Sequence, residues 1–267
     1  MDMQLKGKRA LVTGASSGIG QAIALELAAE GVDVAVSGRD KARTEGTARQ
    51  IEALGGKVLV TLGDVEKDAD AFRIADEVTA AWGGVDILVN NAGNMNRKDV
   101  PHWLDVTPDE YLFSASLNLA AAVRLCQKLC PGMVERGWGR VINISSMAGT
   151  TIRGRNIDYA SAKAALDNFS KNLSKVLGPD GVTVNIVAPG PIITPAVETW
   201  MKTIRAQNNW SEAEAKANER EYARTQLHQS VLRYGEPREI ATAVALLASP
   251  LSGFINGVLL PIDGGGA

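Results

Sequence analysis

Short runs rich in β-branched and apolar residues alternate along this chain with longer segments whose apolar positions recur at helical spacing. The runs are Arg9 to Thr13, Val32 to Ser37, Lys57 to Leu62, Val85 to Asn90, Arg140 to Ser145, Val182 to Val187 and Val258 to Ile262. Amphipathic segments begin near Gly18, Lys41, Glu66, Pro108, Asp158 and Pro237. Strands that are apolar on both faces, each followed by a helix that can cross back over the sheet, predict parallel pairing. The expected fold class is α/β: one doubly wound, seven-stranded parallel sheet flanked by helices on both faces.

No Pro/Gly/Ser-rich linker, charge block or internal repeat interrupts this order, so a single domain over 1–267 is expected. The segment at about 195–235 departs from the pattern. It is polar and charged, carries Trp200, Met201, Trp210 and Tyr222 at intervals, and has no strand of its own. It is read as a substrate-binding lid insertion, with a solvated helical pair as the alternative.

Composition narrows the partners. The hydrophobic share of 45% and formal net charge of -2 are those of an ordinary globular chain. The 28 Lys and Arg are scattered among 30 Asp and Glu, without the basic stripe that would track phosphates, so nucleic acid is excluded and small molecules or further copies of the chain are expected. Met1 to Lys6 lack the apolar run of a signal peptide, and no stretch approaches the ~18 apolar residues of a membrane span, which predicts a cytoplasmic protein with no membrane partner. Cys126 and Cys130 sit four apart in an apolar helical pattern and are expected as buried reduced thiols. A metal pair is the alternative, disfavoured because His102 and His228 are isolated, so no metal is expected.

The first run is followed by Thr13-Gly14-Ala15-Ser16-Ser17-Gly18-Ile19-Gly20 and then at once by a helical segment. Glycines let the backbone turn tightly against a pyrophosphate, whose charge is favoured by the free N–H groups at a helix start. A dinucleotide cofactor is the expected ligand.

This GxxxGxG spacing resembles the short-chain dehydrogenase/reductase family, and further matches follow in order. Gly63-Asp64-Val65 resembles the family's adenine-contacting turn and Asn90-Asn91-Ala92-Gly93 its fourth-strand motif. Asn118 resembles its helix asparagine, and Ser146, Tyr159 and Lys163 its catalytic trio. Pro189-Gly190-Pro191-Ile192-Ile193-Thr194 resembles the nicotinamide-side loop and Asp263-Gly264-Gly265 the C-terminal turn. The chain is thus similar to the short, single-domain branch, including its 3-oxoacyl-acyl-carrier-protein reductases. The resemblance implies a Rossmann-type fold and a cofactor held by Gly14, Ser16, Ser17, Gly18, Ile19, Gly20, Arg39, Asp64, Val65, Asn91, Ala92, Gly93, Tyr159, Lys163, Pro189, Gly190, Ile192 and Thr194. It also implies a homotetramer assembled through the helices of Asn118 and Tyr159 and through the last strand.

After the second run the chain reads Ser37-Gly38-Arg39. Gly38 stands where NAD-preferring relatives carry Asp, and Arg39 offers a planar fork for a 2′-phosphate. NADP(H) is favoured and NAD(H) is the alternative, in which Arg39 merely caps a surface turn.

Returning hydride to a carbonyl leaves an alkoxide that needs a proton, and the reverse oxidation needs a base. Tyr159 is the candidate for both, and a phenol with a pKa near 10 needs a nearby cation to favour its phenolate. Lys163, four residues on, shares its helical face and is expected to supply that charge. Ser146, 13 residues before Tyr159, would polarise the substrate oxygen, whereas Ser145 points the other way and is expected to be structural. By the resemblance Asn118 bends its helix and binds a water that feeds a relay to Lys163. Substrate choice is assigned to Asn94 to His102, Ala148 to Asp158 and the lid. Met95, Asn96, Arg153 and Arg155 there suit a 3-oxoacyl thioester, a sugar or polyol, or a ring ketone. The expected activity is NADP(H)-dependent hydride transfer to a ketone or from a secondary alcohol. An NAD-dependent alcohol or sugar dehydrogenase is the alternative, and a non-catalytic dinucleotide sensor the remote one.

Overall fold

A computed structural model describes residues 2–95, 103–152, 154 and 156–266. The strands are β1 (Arg9–Thr13), β2 (Asp33–Gly38), β3 (Val58–Leu62), β4 (Ile87–Asn90), β5 (Gly139–Ile144), β6 (Val182–Pro189) and β7 (Leu259–Ile262). All ends lie within two residues of the sequence-predicted runs. The helices are α1 (Gly18–Ala29), α2 (Lys41–Ala53), α3 (Asp68–Trp82), α4 (Pro108–Ala115), α5 (Ala121–Glu135), α6 (Ile157–Leu177), α7 (Pro195–Gln207), α8 (Glu212–Thr225) and α9 (Pro237–Ala248).

The strands pair in parallel in the order β3-β2-β1-β4-β5-β6-β7, so the chain starts mid-sheet, winds outward one way to β3, then returns beside β1 and winds the other way. Side chains alternate between the two faces. Val12, Val36, Val89 and Ile142 pack with Ile23 and Leu27 of α1 and Ile240 and Val244 of α9. Leu11, Ala35, Leu88 and Val141 pack with Ile74 of α3 and Leu125, Leu129 and Met133 of α5. Each such large side chain contributes about 1.5–3 kcal/mol of burial, which is why the strands read as continuous apolar runs. Cys126 and Cys130 are free and buried in this second layer, as expected.

Local chemistry sets the helix ends. Asp40 accepts from the Arg43 N–H at 3.0 Å to start α2, and Gly83, at φ +73°, ends α3. Thr107 and Glu110 form a reciprocal cap for α4. The segment predicted as a lid consists of α7 and α8, with no buried residue in α7 and only Ala223 buried in α8.

At the amino edge of the sheet, Arg9 grips Asp86 through Nη2 at 2.7 Å and Nε at 3.0 Å, while its backbone N–H donates to the same carboxylate at 3.0 Å. Burial pushes the Asp86 carboxyl up, but the bonds from Arg9 outweigh it and hold the carboxyl below its usual range. The unfolded chain therefore takes up this proton first on acidification. Asp86→Ala should cost about 2 kcal/mol in urea unfolding at pH 7, and the difference from wild type should vanish as the pH falls through and below the ordinary Asp range near 3.9. An unchanged urea midpoint at pH 7 would count against this clamp.

Candidate active site

The turn between β1 and α1 is built around missing side chains. Gly14 and Gly18 have φ of +64° and +57°, where a Cβ is strained. A Cβ on Gly20 would lie 2.3 Å from the Gly14 carbonyl oxygen and 2.4 Å from Asn91 Nδ2, so only glycine fits. The turn is bolted to the end of β4: the N–H groups of Asn91 and Ala92 both donate to Thr13 Oγ1 at 3.0 Å, and Asn91 Nδ2 donates to the Thr13 carbonyl at 2.9 Å. Ser17, the residue before α1, makes no side-chain cap, and the first turn holds no acid. Asp40, Thr107, Thr194 and Ser211 do cap α2, α4, α7 and α8. The start of α1 thus keeps unsatisfied N–H groups and the positive end of its dipole for an anion.

These groups line one cleft of about 1520 Å³ along the carboxyl ends of the strands, straddling β1 and β4 where the winding reverses. All eighteen residues that the sequence nominated for the cofactor line it, from Gly14 to Thr194, and Ser146 joins them. At the end of β2, a Cβ on Gly38 would lie 2.4 Å from Thr44 Oγ1 and 3.2 Å from Ser16 Cβ, leaving no room for a carboxylate. Arg39 is exposed and leans on Asp64, Nη1 to Oδ2 3.6 Å. Arg43 also lines this end, a second guanidinium that the sequence reading missed although its spacing from Arg39 is one helical turn.

At the other end stand Ser146, Tyr159 and Lys163. Ser146 Oγ accepts from the Ala148 N–H at 3.1 Å and faces the Tyr159 hydroxyl. Lys163 is buried, donates from Nζ to the Ile144 carbonyl at 2.9 Å, and lies 5.7 Å from the centre of the Tyr159 ring. Burial brings its ammonium down to about 8, against a supporting pull from Asp167. The expected acidification of Tyr159 is not found. Burial raises its hydroxyl, the Ser146 hydrogen bond works the other way, and Asp167 adds to the rise. Burial is the dominant cause, and the ammonium, bonded to the Ile144 carbonyl of β5, does not offset it.

Asn118 lies in a π-turn (Ser116–Ala120) between α4 and α5, behind the cleft rather than on it. Its Nδ2 donates to the carbonyls of Asn94 and Ser114, both at 3.0 Å, and its Oδ1 accepts from the Asn94 N–H at 3.2 Å. Gly93 makes room for this, since a Cβ there would meet Asn118 Oδ1 at 2.7 Å and Lys163 Nζ at 3.2 Å. A buried hydrogen bond from Ser114 to Asp158, also unforeseen, ties α4 to the start of α6 beside Tyr159.

The loop after β6 closes the cleft. Gly190 donates its N–H to the Ile262 carbonyl of β7 at 2.9 Å, and Gly235 donates to the Pro191 carbonyl at 2.9 Å. Tyr222, Gln226, Leu227, His228 and Tyr234 form the wall where the lid was expected, while Trp200, Met201 and Trp210 do not line the cleft. Trp200 is exposed on α7, and Trp210 lies in the connection between α7 and α8. Asn94, Met95, Ile152 and Asn156 line the substrate end; Asn96 to His102, Arg153 and Arg155 lie outside the described residues.

Residues 8–205 match the family model described as short chain dehydrogenase. The chain belongs to the short-chain dehydrogenase/reductase family. It is 35% identical over 263 residues to the 3-oxoacyl-(acyl-carrier-protein) reductase FabG of Vibrio cholerae, covering 98% of each chain. The structure of L-sorbose reductase from Gluconobacter frateurii, complexed with NADPH and L-sorbose, is 33% identical, covers 99% of this chain and 98% of its own, and has a TM-score of 0.90. A 7α-hydroxysteroid dehydrogenase complexed with NADH and 7-oxo-glycochenodeoxycholic acid is 30% identical, covers 100% and 96%, and has a TM-score of 0.86. As a short-chain dehydrogenase/reductase the protein is an oxidoreductase of CH–OH and C=O groups, and the cleft fits a nicotinamide cofactor.

Because the glycine-only approach at Gly20 shapes the anion cradle, Gly20→Ala should weaken binding of either nicotinamide dinucleotide about tenfold to a hundredfold, the loss of one or two charge-assisted bonds. Fluorescence titration reads this directly, and an unaltered Kd would refute the cradle.

Proposed function

We propose that the protein is a cytosolic, NADP(H)-dependent reductase of ketones to secondary alcohols. The observation that carries the cofactor reading is Gly38, where a side chain of any kind would collide with Thr44 and Ser16, next to Arg39 and Arg43 on the rim. A 2′-phosphate would be met there by two guanidinium groups, with no carboxylate at Gly38 to repel it. The α1 start, Ser16, Ser17 and Ile19 would hold the pyrophosphate, Asp64 and Val65 the adenine side, Asn91 to Gly93 the ribose, and Pro189 to Thr194 the nicotinamide. When bound, the cofactor exchanges a hydride with the carbonyl carbon.

The chain's own groups do the rest. Ser146 donates a hydrogen bond to the substrate oxygen as negative charge grows there. Tyr159 delivers the proton that completes the alcohol, or takes it in the oxidation. Lys163 holds a positive charge behind both and would hold the ribose hydroxyls, and the α7–α8 segment would cover the substrate. Candidate substrates are 3-oxoacyl thioesters, sugars or polyols, and ring ketones, matching the mixed lining of Met95, Ile152, Asn94 and Asn156. Free buried thiols suit a reducing compartment. A specific contact favours the NAD-dependent dehydrogenase as second reading: Arg39 already has a partner in Asp64.

Assembly as a homotetramer is part of this proposal. Exposed Leu112 and Phe113 on α4, and Leu251, Phe254 and Ile255 beside the edge strand β7, give apolar surface at the two faces it would use. Light scattering should return four chains per particle, and a monomer would dismiss it.

Two variants test the activity. Arg39→Ala should weaken NADPH about tenfold to a hundredfold while leaving NADH nearly unchanged. Tyr159→Phe should lower kcat about a hundredfold or more with cofactor binding retained. A preference for NADH that ignores Arg39 would install the second reading, and turnover that survives Tyr159→Phe would remove the phenol from the chemistry.

A further inference from the structure

One buried charge near the proposed chemistry has no assigned task. Asp167 lies on α6 one turn beyond Lys163 and two beyond Tyr159, so the three share one helical face. It is 5% exposed, and both of its carboxylate oxygens lack a hydrogen-bond partner. The buried hydroxyl of Ser145, immediately before Ser146, faces this carboxylate without closing to an ordinary hydrogen bond. The turn that carries Ser146 is shut down on this carboxylate: a Cβ on Gly149 would lie 2.9 Å from Asp167 Oδ2 and 3.0 Å from the Ala164 nitrogen. A carboxylate in so closed a place is costly unless a charge compensates it, and Lys163 is the buried cation one turn away.

We infer that Asp167 is the counter-charge of Lys163, a positioning residue that keeps the ammonium protonated and so sets the pH at which Tyr159 gives up its proton. This inference rests on the hydride-transfer reading above. Burial raises Asp167, and Ser145, Lys163 and Lys171 all draw it back down. Asp167 in turn holds protons on both Lys163 and Tyr159. The groups acting on the trio are few among the described residues. From α6 they are Asp167 and Lys171, and from the end of β5 the hydroxyls of Ser145 and Ser146. From the π-turn and the end of β4, the uncharged Asn118 amide and the Gly93 backbone complete the surround.

The sign follows from removing a negative charge: both remaining protons become easier to lose. In Asp167→Asn the high-pH limb of ketone reduction should move to lower pH by about one to two units, the effect of one charge a helical turn away at an effective permittivity of about 20. At pH 6, where all the protons are in place, kcat should stay within a fewfold of wild type. Asp167→Ser, smaller and equally neutral, should move the limb the same way, so misfolding of one variant leaves the other to decide. A limb that stays put, or moves to higher pH, in a folded and active variant overturns the role of Asp167. A wild-type chain that turns over no ketone or alcohol with either nicotinamide overturns the hydride-transfer reading instead.

Discussion

Two backbone N–H groups, those of Asn91 and Ala92, converge on one hydroxyl, that of Thr13, and the geometry of the cleft follows from this joint. It couples the end of β1 to the end of β4 at the point where the sheet reverses its winding. Because Asn91 also reaches the Thr13 carbonyl, Gly14 and Gly20 have to do without side chains. Because Gly93 follows in the same pinned segment, Asn118 and Lys163 can close on it. The cradle for an anion and the residues proposed for proton transfer are therefore two consequences of one connection.

Much of this arrangement was legible in the sequence where the information is local. Tyr159 and Lys163 are a turn apart on one helix, and Gly14, Gly18 and Gly20 mark a single strand-to-helix turn. Strand positions emerged because buried parallel strands are apolar on both faces. What depends on contacts between distant segments did not emerge. The Ser114 to Asp158 bond joins residues 44 apart, and Arg9 meets Asp86 across 77. Helices α7 and α8 carry signals that were present but unused: Thr194-Pro195 starts the first, and Ser211 with Glu214 forms a reciprocal cap on the second.

The proton affinity of Tyr159 shows the limit most clearly. A lysine four residues away argues for a more acidic phenol, and the folded chain has a less acidic one. Burial decides the matter, and it is not written in spacing. The same burial that raises Tyr159 lowers Lys163 to about 8, so the two groups move apart in proton affinity within the closed fold.

The bond from Gly190 to Ile262 has a consequence for the order in which the protein is made. The nicotinamide-side loop leaves β6 but is anchored by β7, the last described strand, more than seventy residues later in the chain. A nascent chain can therefore lay down the Gly-rich turn and the central strands early, yet its cleft stays open on one side until β7 has been made and docks. The loop and the strand that anchors it are thus joined only across a long stretch of chain, whereas the Gly-rich turn is complete within a single strand-to-helix connection.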